Sequence, residues 1–312
     1  MVHVSRDVAG ACEGSGVAVR MARLRLMQIA APAARRYPGL FYRVASVAGW
    51  LAWRTRPALR RNVTRNLLPL CDGDLGRARR EGVRVCQYVA QYYVELATLG
   101  KRDLTQFERE NLEYVNPEHI ARLNAPGPII AVSAHTGNAE LAIQAINSHG
   151  RRFVAIVEAQ RPPEWSRYLL KLRSAKGGTF YQSDFGGVRA GIEALKHGDV
   201  LGLMGDRDLQ GTGVCVEICG RKARIPRGPW ELARRTGALV MPMFATRIRN
   251  DRFQVYLHEP FHMEITADPE QDIRLAAARW ACLLEAHLRR DPGQWVVLED
   301  FWRVHACKDA EA

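Results

Sequence analysis

Short apolar runs alternate with segments of helical periodicity between residues 128 and 259, and this alternation constrains the fold more than any other feature. Apolar runs of this length, without internal polar alternation, are typical of strands buried on both faces of a sheet. Strands that alternate with helices predict βαβ units, so we predict an α/β fold with a mixed, mostly parallel central sheet and helices on both faces. The apolar runs lie at 128–133, 153–158, 179–182, 200–204, 214–219, 239–248 and 253–259, and the helical patterns at 138–147, 164–175, 187–197, 228–236 and 270–290.

The chain before this alternation has another pattern. Residues 1–16 lack periodicity, and we expect a loose N-terminus there. Residues 17–105 are predicted as an N-terminal helical cap whose arginines are interleaved with apolar residues, as in helices that lie in a membrane interface. Alternatively, these helices simply pack on the main domain with a solvated basic face. An α/β domain at 106–305 and a tail at 306–312 complete the predicted organisation.

The charge of the chain narrows its partners. Lys and Arg total 45 against 33 Asp and Glu, a formal net charge of +12, which favours nucleic acid, a phospholipid surface or a phosphorylated substrate. A genome that encodes Arg in place of Lys would give the same excess. The apolar run at 44–53 has about half of the roughly 20 residues that a membrane-spanning helix needs. With no secretory signal pattern at the N-terminus, we predict a protein on the cytoplasmic side of the membrane.

Seven cysteines show no CxxC pair and no zinc-finger spacing. An odd number in a chain of this length argues against a disulfide framework and for a reducing compartment. Cys215 and Cys219 are interpreted as small apolar packing residues.

His135 is the first candidate for catalysis. It follows the run at 128–133, and ligands of open α/β sheets bind beyond the carboxyl ends of strands. A histidine can take a proton near neutral pH, and Glu140 in the next helix is expected to hold its other ring nitrogen. Gly137 would let a substrate or another backbone approach closely. The alternative is a buried histidine whose ring is satisfied by backbone groups.

A charged cluster follows the run at 200–204, at the same predicted edge of the sheet. Asp206 and Asp208 flank Arg207, an arrangement that is costly to bury without a partner or a task. Asp206, Asp208 and Glu217 also match positions 1, 3 and 12 of an EF-hand calcium loop. Because the flanking segments are predicted strands and an EF-hand needs helices, we predict no metal.

Basic residues form a third candidate site. Arg221, Arg224 and Arg227 lead into a helix whose first turn contains Pro229, and basic side chains near a helix N-terminus suit a phosphate. Arg173 ends another basic run that could reach the same edge. A solvated basic turn is the alternative.

Taken together, these segments resemble a known family. The sequence HTGNAE at 135–140 fits the H-x4-D/E motif of membrane-associated acyltransferases. The stretch from about 128 to 302 resembles the lipid A late acyltransferases and phosphatidylinositol mannoside acyltransferases, most densely at 203–242 and again in DPGQWVVLEDFW at 291–302. One departure is Ile218-Cys219-Gly220, where relatives commonly have Phe-Phe-Gly, and we expect it to reshape the acyl or acceptor pocket.

The resemblance implies chemistry and roles. His135 would be the base that deprotonates an acceptor hydroxyl, Glu140 its supporting carboxylate, and Asp206 an acidic residue close to the histidine. The residues and the resemblance together assign substrate binding to Gly137, Asn138, Arg173, Arg207, Asp208, Arg221, Arg224 and Arg227.

The predicted reaction moves an acyl group from acyl-CoA or acyl-carrier protein to a hydroxyl of a lipid or glycolipid, without a cofactor or covalent acyl-enzyme. The protein would attach peripherally to the cytoplasmic face of the membrane. Two alternatives remain open: the same chemistry on a secondary-metabolite hydroxyl or amine, and a non-catalytic basic protein that binds membrane or nucleic acid. We expect no nucleic-acid partner, because that function would leave the His135 and Asp206 segments unexplained.

Overall fold

The N-terminal part of the molecule is helical. The structure, a computed structural model, describes residues 25–144 and 150–307. Proline is the first residue of α2 (Pro38–Thr55) and of α3 (Pro57–Leu67), where its missing N–H costs no intrahelical hydrogen bond. Helix α4 (Leu75–Leu99) begins after Asp74, whose carboxylate accepts the Arg77 N–H at 2.9 Å and caps the helix. The helices here are α1 at 25–36, α2 Pro38–Thr55, α3 Pro57–Leu67, α4 Leu75–Leu99 and α5 Leu104–Asn111.

The described residues contain a seven-stranded sheet with the order β1-β9-β8-β2-β5-β3-β4. Neighbouring strands are parallel except for the antiparallel pair β8 and β9, so the predicted mixed, mostly parallel sheet is confirmed. The short strand β1 was not predicted. The strands of this sheet are β1 Leu112–Val115, β2 Ile129–Ser133, β3 Phe153–Val157, β4 Thr179–Gln182, β5 Val200–Met204, β8 Leu239–Arg249 and β9 Arg252–Leu257.

Helices cover both faces of the sheet, as predicted. Ile130 and Val132 of β2 belong to one apolar core with Trp280, whereas Ile129 and Ala131 belong to another. This division follows from the two-residue period of a strand, which sends alternate side chains to opposite faces. The remaining helices are α6 Ile120–Asn124, α7 Ala139–Gln144, α8 Pro163–Arg173, α9 Phe185–Lys196, α10 Gly228–Thr236, α11 Pro269–Arg290 and α12 Phe301–Val304.

A hairpin outside the main sheet corrects two expectations. Strand β6 (Val214–Ile218) pairs antiparallel with β7 (Arg221–Ile225), so most of the expected basic turn is strand. Cys215 is bonded to Cys307, and its interpretation as a free packing residue was therefore wrong. The two cysteines are 92 residues apart, and no motif spacing connects them. Cys219 and Gly220 form the turn of the hairpin with φ of +54° and +68°.

Some predictions lie outside the described residues: the loose N-terminus at 1–16, the start of the helical region, and most of the tail at 306–312. Within the described ranges, no helix is both long enough and apolar enough to cross a bilayer.

Candidate functional site

The pairing of β2 with β5 brings two predicted residues together. Ser133 lies opposite Met204 at the carboxyl ends of these strands, and each strand is followed two residues later by a charged or titratable side chain. Nδ1 of His135 is 2.8 Å from Oδ1 of Asp206. Asp206 is completely buried, whereas about a third (32%) of the His135 side chain is exposed. The predicted proximity of Asp206 to the histidine is therefore confirmed.

The surroundings of Asp206 keep it ionised. Burial alone would raise its pKa, but the charge of His135 and hydrogen bonds from His135 and from the Trp295 indole lower the pKa of this carboxyl to about 2. A carboxylate can only accept hydrogen bonds, so Nδ1 of His135 carries the proton. In the ring form with a single proton, the lone pair is therefore on Nε2, which has no hydrogen-bond partner among the residues that the structure describes. The pair thus presents a base on the exposed side of the ring.

The C-terminal segment supports this pair. Trp295 Nε1 donates to Asp206 Oδ2 at 3.0 Å, and the backbone N–H of Val296 donates to the His135 carbonyl at 2.8 Å. The family resemblance includes residues 291–302, but it implied no role for Trp295. Its place in the resembling DPGQWVVLEDFW segment was the available signal.

Gly137 and Asn138 serve the turn itself. Gly137 has φ of +53°, and a Cβ built on it would lie 2.5 Å from the Ala245 carbonyl oxygen, so the close neighbour is another backbone. The Asn138 side chain caps α7, because its Oδ1 accepts the Leu141 N–H at 2.9 Å, and its Nδ2 donates to Glu95 at 2.6 Å. Both residues shape the turn, and the contacts of Asn138 are with protein groups instead of the expected substrate.

Glu140 does not hold His135, which corrects the expectation. Its carboxylate accepts from Arg173 Nε at 2.9 and 3.0 Å and from the Tyr92 hydroxyl at 2.8 Å. Arg173 also donates to the Tyr92 hydroxyl at 2.9 Å. The physical reason is charge: the guanidinium of Arg173 is largely buried and needs a carboxylate nearby. Arg173 is therefore near the turn through Glu140, and both side chains are only 12% exposed.

The loop after β5 holds its charges in internal pairs. Arg207 donates to both oxygens of Glu299, at 2.6 and 2.8 Å, and to Glu158 at 3.3 Å. Asp208 accepts the N–H groups of Gln210, Gly211 and Gly213, which folds the loop. These contacts give Asp208 a role in forming the loop, and its substrate role stays a prediction. The loop lies between strands, as expected against an EF-hand, and among the described residues no group of His, Cys, Asp or Glu is arranged to hold a metal.

The predicted anion site is not assembled as expected. Arg224 is paired with Asp208 at 2.6 Å, and Arg227 is paired with Glu231 and Glu270. The guanidinium of Arg221 lies 5.5 Å from the ring centre of Trp302. Carboxylates thus neutralise two of the three arginines: Arg224 in a largely buried pair and Arg227 in exposed pairs.

A cavity of about 600 Å³ extends to Glu158, the residue that follows β3 at the carboxyl edge of the sheet. It lies between α1, α2 and α4 and the segment that follows β3, and we call it the α1–α4 cavity. Glu158 lines the cavity and also accepts from Arg207, the residue after Asp206. Its remaining lining is mostly apolar and includes Met27, Ala31, Ala34, Phe41, Ala97 and Trp165.

The outer side of the N-terminal helices is apolar and exposed. Leu40, Val44, Val47 and Leu51 follow helical spacing on α2 and are each more than half exposed, whereas Tyr42, Ala45, Gly49 and Trp53 face inward. We call this outer side the α1–α2 surface. Arg36 and Arg54 flank it, beside the rings of Tyr37 and Trp50, and no Asp or Glu occurs between Glu13 and Asp72.

The sequence is similar to that of a known protein family and of two relatives. Residues 35–304 match the family described as bacterial lipid A biosynthesis acyltransferase. A phosphatidylinositol mannoside acyltransferase from Mycobacterium tuberculosis is 30% identical over 192 residues, which cover 60% of this chain and 58% of the relative. Another from Mycolicibacterium smegmatis is 29% identical over 160 residues, 49% of this chain and 52% of the relative. The match thus spans less than two thirds of these relatives.

A solved structure is also similar, but distantly. The 1-acyl-sn-glycerophosphate (LPA) acyltransferase PlsC from Thermotoga maritima has 17% identity and a TM-score of 0.36, with coverage of 78% of this chain and 98% of that chain.

Proposed function

This chain belongs to the bacterial lipid A biosynthesis acyltransferase family, and we propose that it transfers a fatty acyl group from a thioester to a hydroxyl of a lipid or glycolipid. The hydrogen bond between His135 and a completely buried Asp206, at the carboxyl edge of the sheet, is the observation that carries this proposal. Because Nδ1 bonds to Asp206, Nε2 is the ring nitrogen that can accept a proton, as attack by a hydroxyl requires.

In the proposed reaction, Nε2 of His135 takes the proton of the acceptor hydroxyl while the hydroxyl oxygen attacks the carbonyl carbon of the thioester. The tetrahedral intermediate collapses as the carbon–sulfur bond breaks, and His135 gives its proton to the leaving sulfur, so that a free thiol departs and the base is regenerated. Asp206 stabilises the imidazolium between these two steps. Direct transfer is favoured because no Ser, Thr or Cys side chain among the described residues is hydrogen-bonded to the His135 ring.

The α1–α4 cavity is the proposed site of the acyl chain. Its lining is mostly apolar, and it reaches the catalytic edge at Glu158, beside Arg207. Burial of a fatty chain there would be favourable by about 0.8 kcal/mol for each CH₂ removed from water. The donor would be acyl-CoA or acyl-carrier protein, and no further cofactor is needed for the chemistry.

The α1–α2 surface is the proposed membrane-binding surface, on the cytoplasmic face of the membrane. An exposed apolar stripe flanked by arginines, without acidic residues, matches an anionic bilayer in both hydrophobicity and charge. Because the same helices line the α1–α4 cavity, attachment here would bring a lipid acceptor to the catalytic edge.

A lipid acceptor is favoured over a secondary metabolite. The departure at Ile218-Cys219-Gly220 was the sequence feature for a different acceptor, but these residues end β6 and turn into β7, away from the lining of the α1–α4 cavity. The relatives are named for phosphatidylinositol mannoside, so a glycolipid hydroxyl is the acceptor that we propose.

The test is incubation of the purified protein with radiolabelled long-chain acyl-CoA and total bacterial lipid extract, followed by separation of the lipids. We expect a new labelled lipid, absent when His135→Ala replaces the wild type. Acyl-carrier protein loaded with the same chain is tested in parallel. If neither donor labels a lipid while a known acyltransferase does so in the same extract, the proposed function is wrong.

A further inference from the structure

A carboxylate that the proposed reaction does not use is buried near the C-terminal end of α4. Glu95 is 1% exposed, and its side chain receives hydrogen bonds from Arg247 of β8, from Asn138 Nδ2 at 2.6 Å and from the Tyr42 hydroxyl at 3.2 Å. Arg247 is itself 2% exposed, so the ion pair is completely shielded from solvent. Desolvation of two charges is expensive, which makes a buried ion pair weak evidence for stability alone.

One partner of Glu95 belongs to the turn that carries His135. Asn138 lies three residues after His135, and while its Nδ2 donates to Glu95, its Oδ1 caps the first turn of α7 through the Leu141 N–H. The amide therefore has a donor and an acceptor fixed at the same time. Glu95 selects this orientation of Asn138, because a carboxylate accepts only from the nitrogen end of the amide.

The other partner reaches the same turn from the opposite side. The backbone N–H and carbonyl of Arg247 bond to the Gln294 side chain at 2.9 and 3.0 Å. The backbone carbonyl of Gln294 in turn accepts the Gly137 N–H at 3.3 Å. A closed ring of contacts therefore runs from Glu95 to Asn138, through Gly137 to Gln294 and Arg247, and back to Glu95.

We propose that Glu95 is a positioning residue for His135. This inference rests on the proposed function, since it concerns how the catalytic histidine is held. Residues 137 and 138 are members of this ring. So is Gln294, which precedes the Trp295 that bonds to Asp206. Glu95 thus keeps the turn in the register that places Nδ1 of His135 on Asp206. Loss of this register misplaces the base, and misplacement of a reacting group by about 1 Å can cost roughly 100-fold in rate.

The test is an exchange of donor and acceptor between Glu95 and Asn138. Asn138→Asp keeps a side-chain oxygen to cap Leu141 but puts a second carboxylate against Glu95. We expect kcat to fall about 100-fold while KM stays within about twofold. Adding Glu95→Gln to this variant restores an amide nitrogen opposite a carboxylate and keeps one negative charge for Arg247. The double variant E95Q/N138D should regain most of the lost kcat.

Asp272→Asn is the matched control. Asp272 lies on α11, and its side chain is only 1% exposed. It is paired with Arg234 of α10 at 2.8 Å, and neither residue belongs to the ring. We expect this variant to lower Tm without changing kcat. If N138D lowers Tm to a similar extent and its kcat per folded enzyme is unchanged, the ring only supports the fold and the inference is wrong.

A spectroscopic measurement tests positioning without turnover. The Nδ1 proton of His135, assigned with H135Q, should show a downfield NMR resonance in the wild type that is lost in N138D and returns in E95Q/N138D. An unchanged resonance in N138D overturns the inference, even in a protein that labels no lipid. Failure of the acyl-transfer assay with the wild type would instead contradict the proposed function, so the two failures are distinguishable.

Discussion

The indole N–H of Trp295 lies 3.0 Å from Oδ2 of Asp206, and the other oxygen of the same carboxylate binds His135 at 2.8 Å. Three parts of the chain meet at this carboxylate: the turn after β2, the loop after β5 and the segment after α11. A buried charge is stabilised only where such donors are already oriented toward it. The arrangement therefore explains how a completely buried aspartate stays ionised beside a histidine that is partly open to solvent.

The first prediction concerns His135. His135→Ala should lower kcat by about 1,000-fold or more, because general-base catalysis contributes rate enhancements of that order. Tm should also fall, since the variant leaves the buried carboxylate of Asp206 without its histidine partner, and kcat is therefore compared per folded enzyme. His197→Ala is the control, because that exposed ring bonds to the Glu193 carbonyl of its own helix. Transfer by H135A within a few-fold of the wild type would show that another group is the base.

The second prediction is a pH dependence of stability. The pKa of Asp206 is lowered from 3.8 to about 2 in the folded protein, so the carboxylate stabilises the fold above its unfolded pKa. That contribution, about 2 kcal/mol, should be lost as pH falls from about 4 through 2. Asp206→Asn lacks it. Urea unfolding of both proteins should therefore show a difference in free energy that is largest near neutrality and shrinks below pH about 4. A difference independent of pH would contradict the assignment.

The third prediction concerns Glu140 and Arg173. Because the two side chains form one largely buried pair, Glu140→Ala and Arg173→Ala should each cost about 3 kcal/mol in unfolding free energy. The double variant should cost less than the sum, since each single change leaves a buried charge without its partner. Each single variant should also lose most of its transfer activity. Glu270→Ala, which breaks the exposed pair with Arg227, is the control. Additive losses would mean that the two residues act separately.

The fourth prediction concerns membrane attachment. Val44→Asp with Val47→Asp should reduce sedimentation with vesicles that contain phosphatidylglycerol, because it places negative charge on the α1–α2 surface. Binding of the wild type should also weaken at high salt. Leu275→Asp is the matched control, an equally exposed apolar residue on α11. Equal sedimentation of both variants would locate the membrane contact elsewhere.

The fifth prediction concerns the acyl chain. Ala34→Phe should fill part of the α1–α4 cavity and lower kcat/KM for long-chain acyl-CoA more than for short-chain acyl-CoA. Ala33→Phe, one residue earlier on the same helix and exposed, should leave the chain-length profile unchanged. A uniform loss across all donors in A34F would place the chain outside this cavity.

Most strands of the main sheet were predictable because they are short runs of mainly apolar residues, as at 200–204, where the bounds agree with the structure. Strand β7 (Arg221–Ile225) was missed because three of its five residues are basic, which hides an apolar strand pattern. It is a strand because it pairs with β6. Cys215 and Cys307 were not paired in advance, because nothing local connects residues 92 positions apart.

For the site, the sequence alone identified His135 and Asp206 as candidates, from their positions directly after buried strands. From the sequence, Glu140 was predicted as the carboxylate partner of the histidine because it is nearer in the chain. The resemblance implied that Asp206 lies close to the same histidine. Proximity along a helix does not decide which of two carboxylates reaches a ring. The order of strands does, because only the adjacency of β2 and β5 puts Asp206 opposite His135.

The sequence by itself determined the α/β class, the edge of the sheet that holds the candidate site, and the basic, acid-free character of helices α1 to α3. These properties follow from periodicity and composition, which are local. The tertiary structure decided which charges are paired: Asp206 with His135, Glu140 with Arg173, Glu95 with Arg247. Such pairs join residues far apart in the chain, and the cost of burying a charge, which selects each partner, is set by the packing around it.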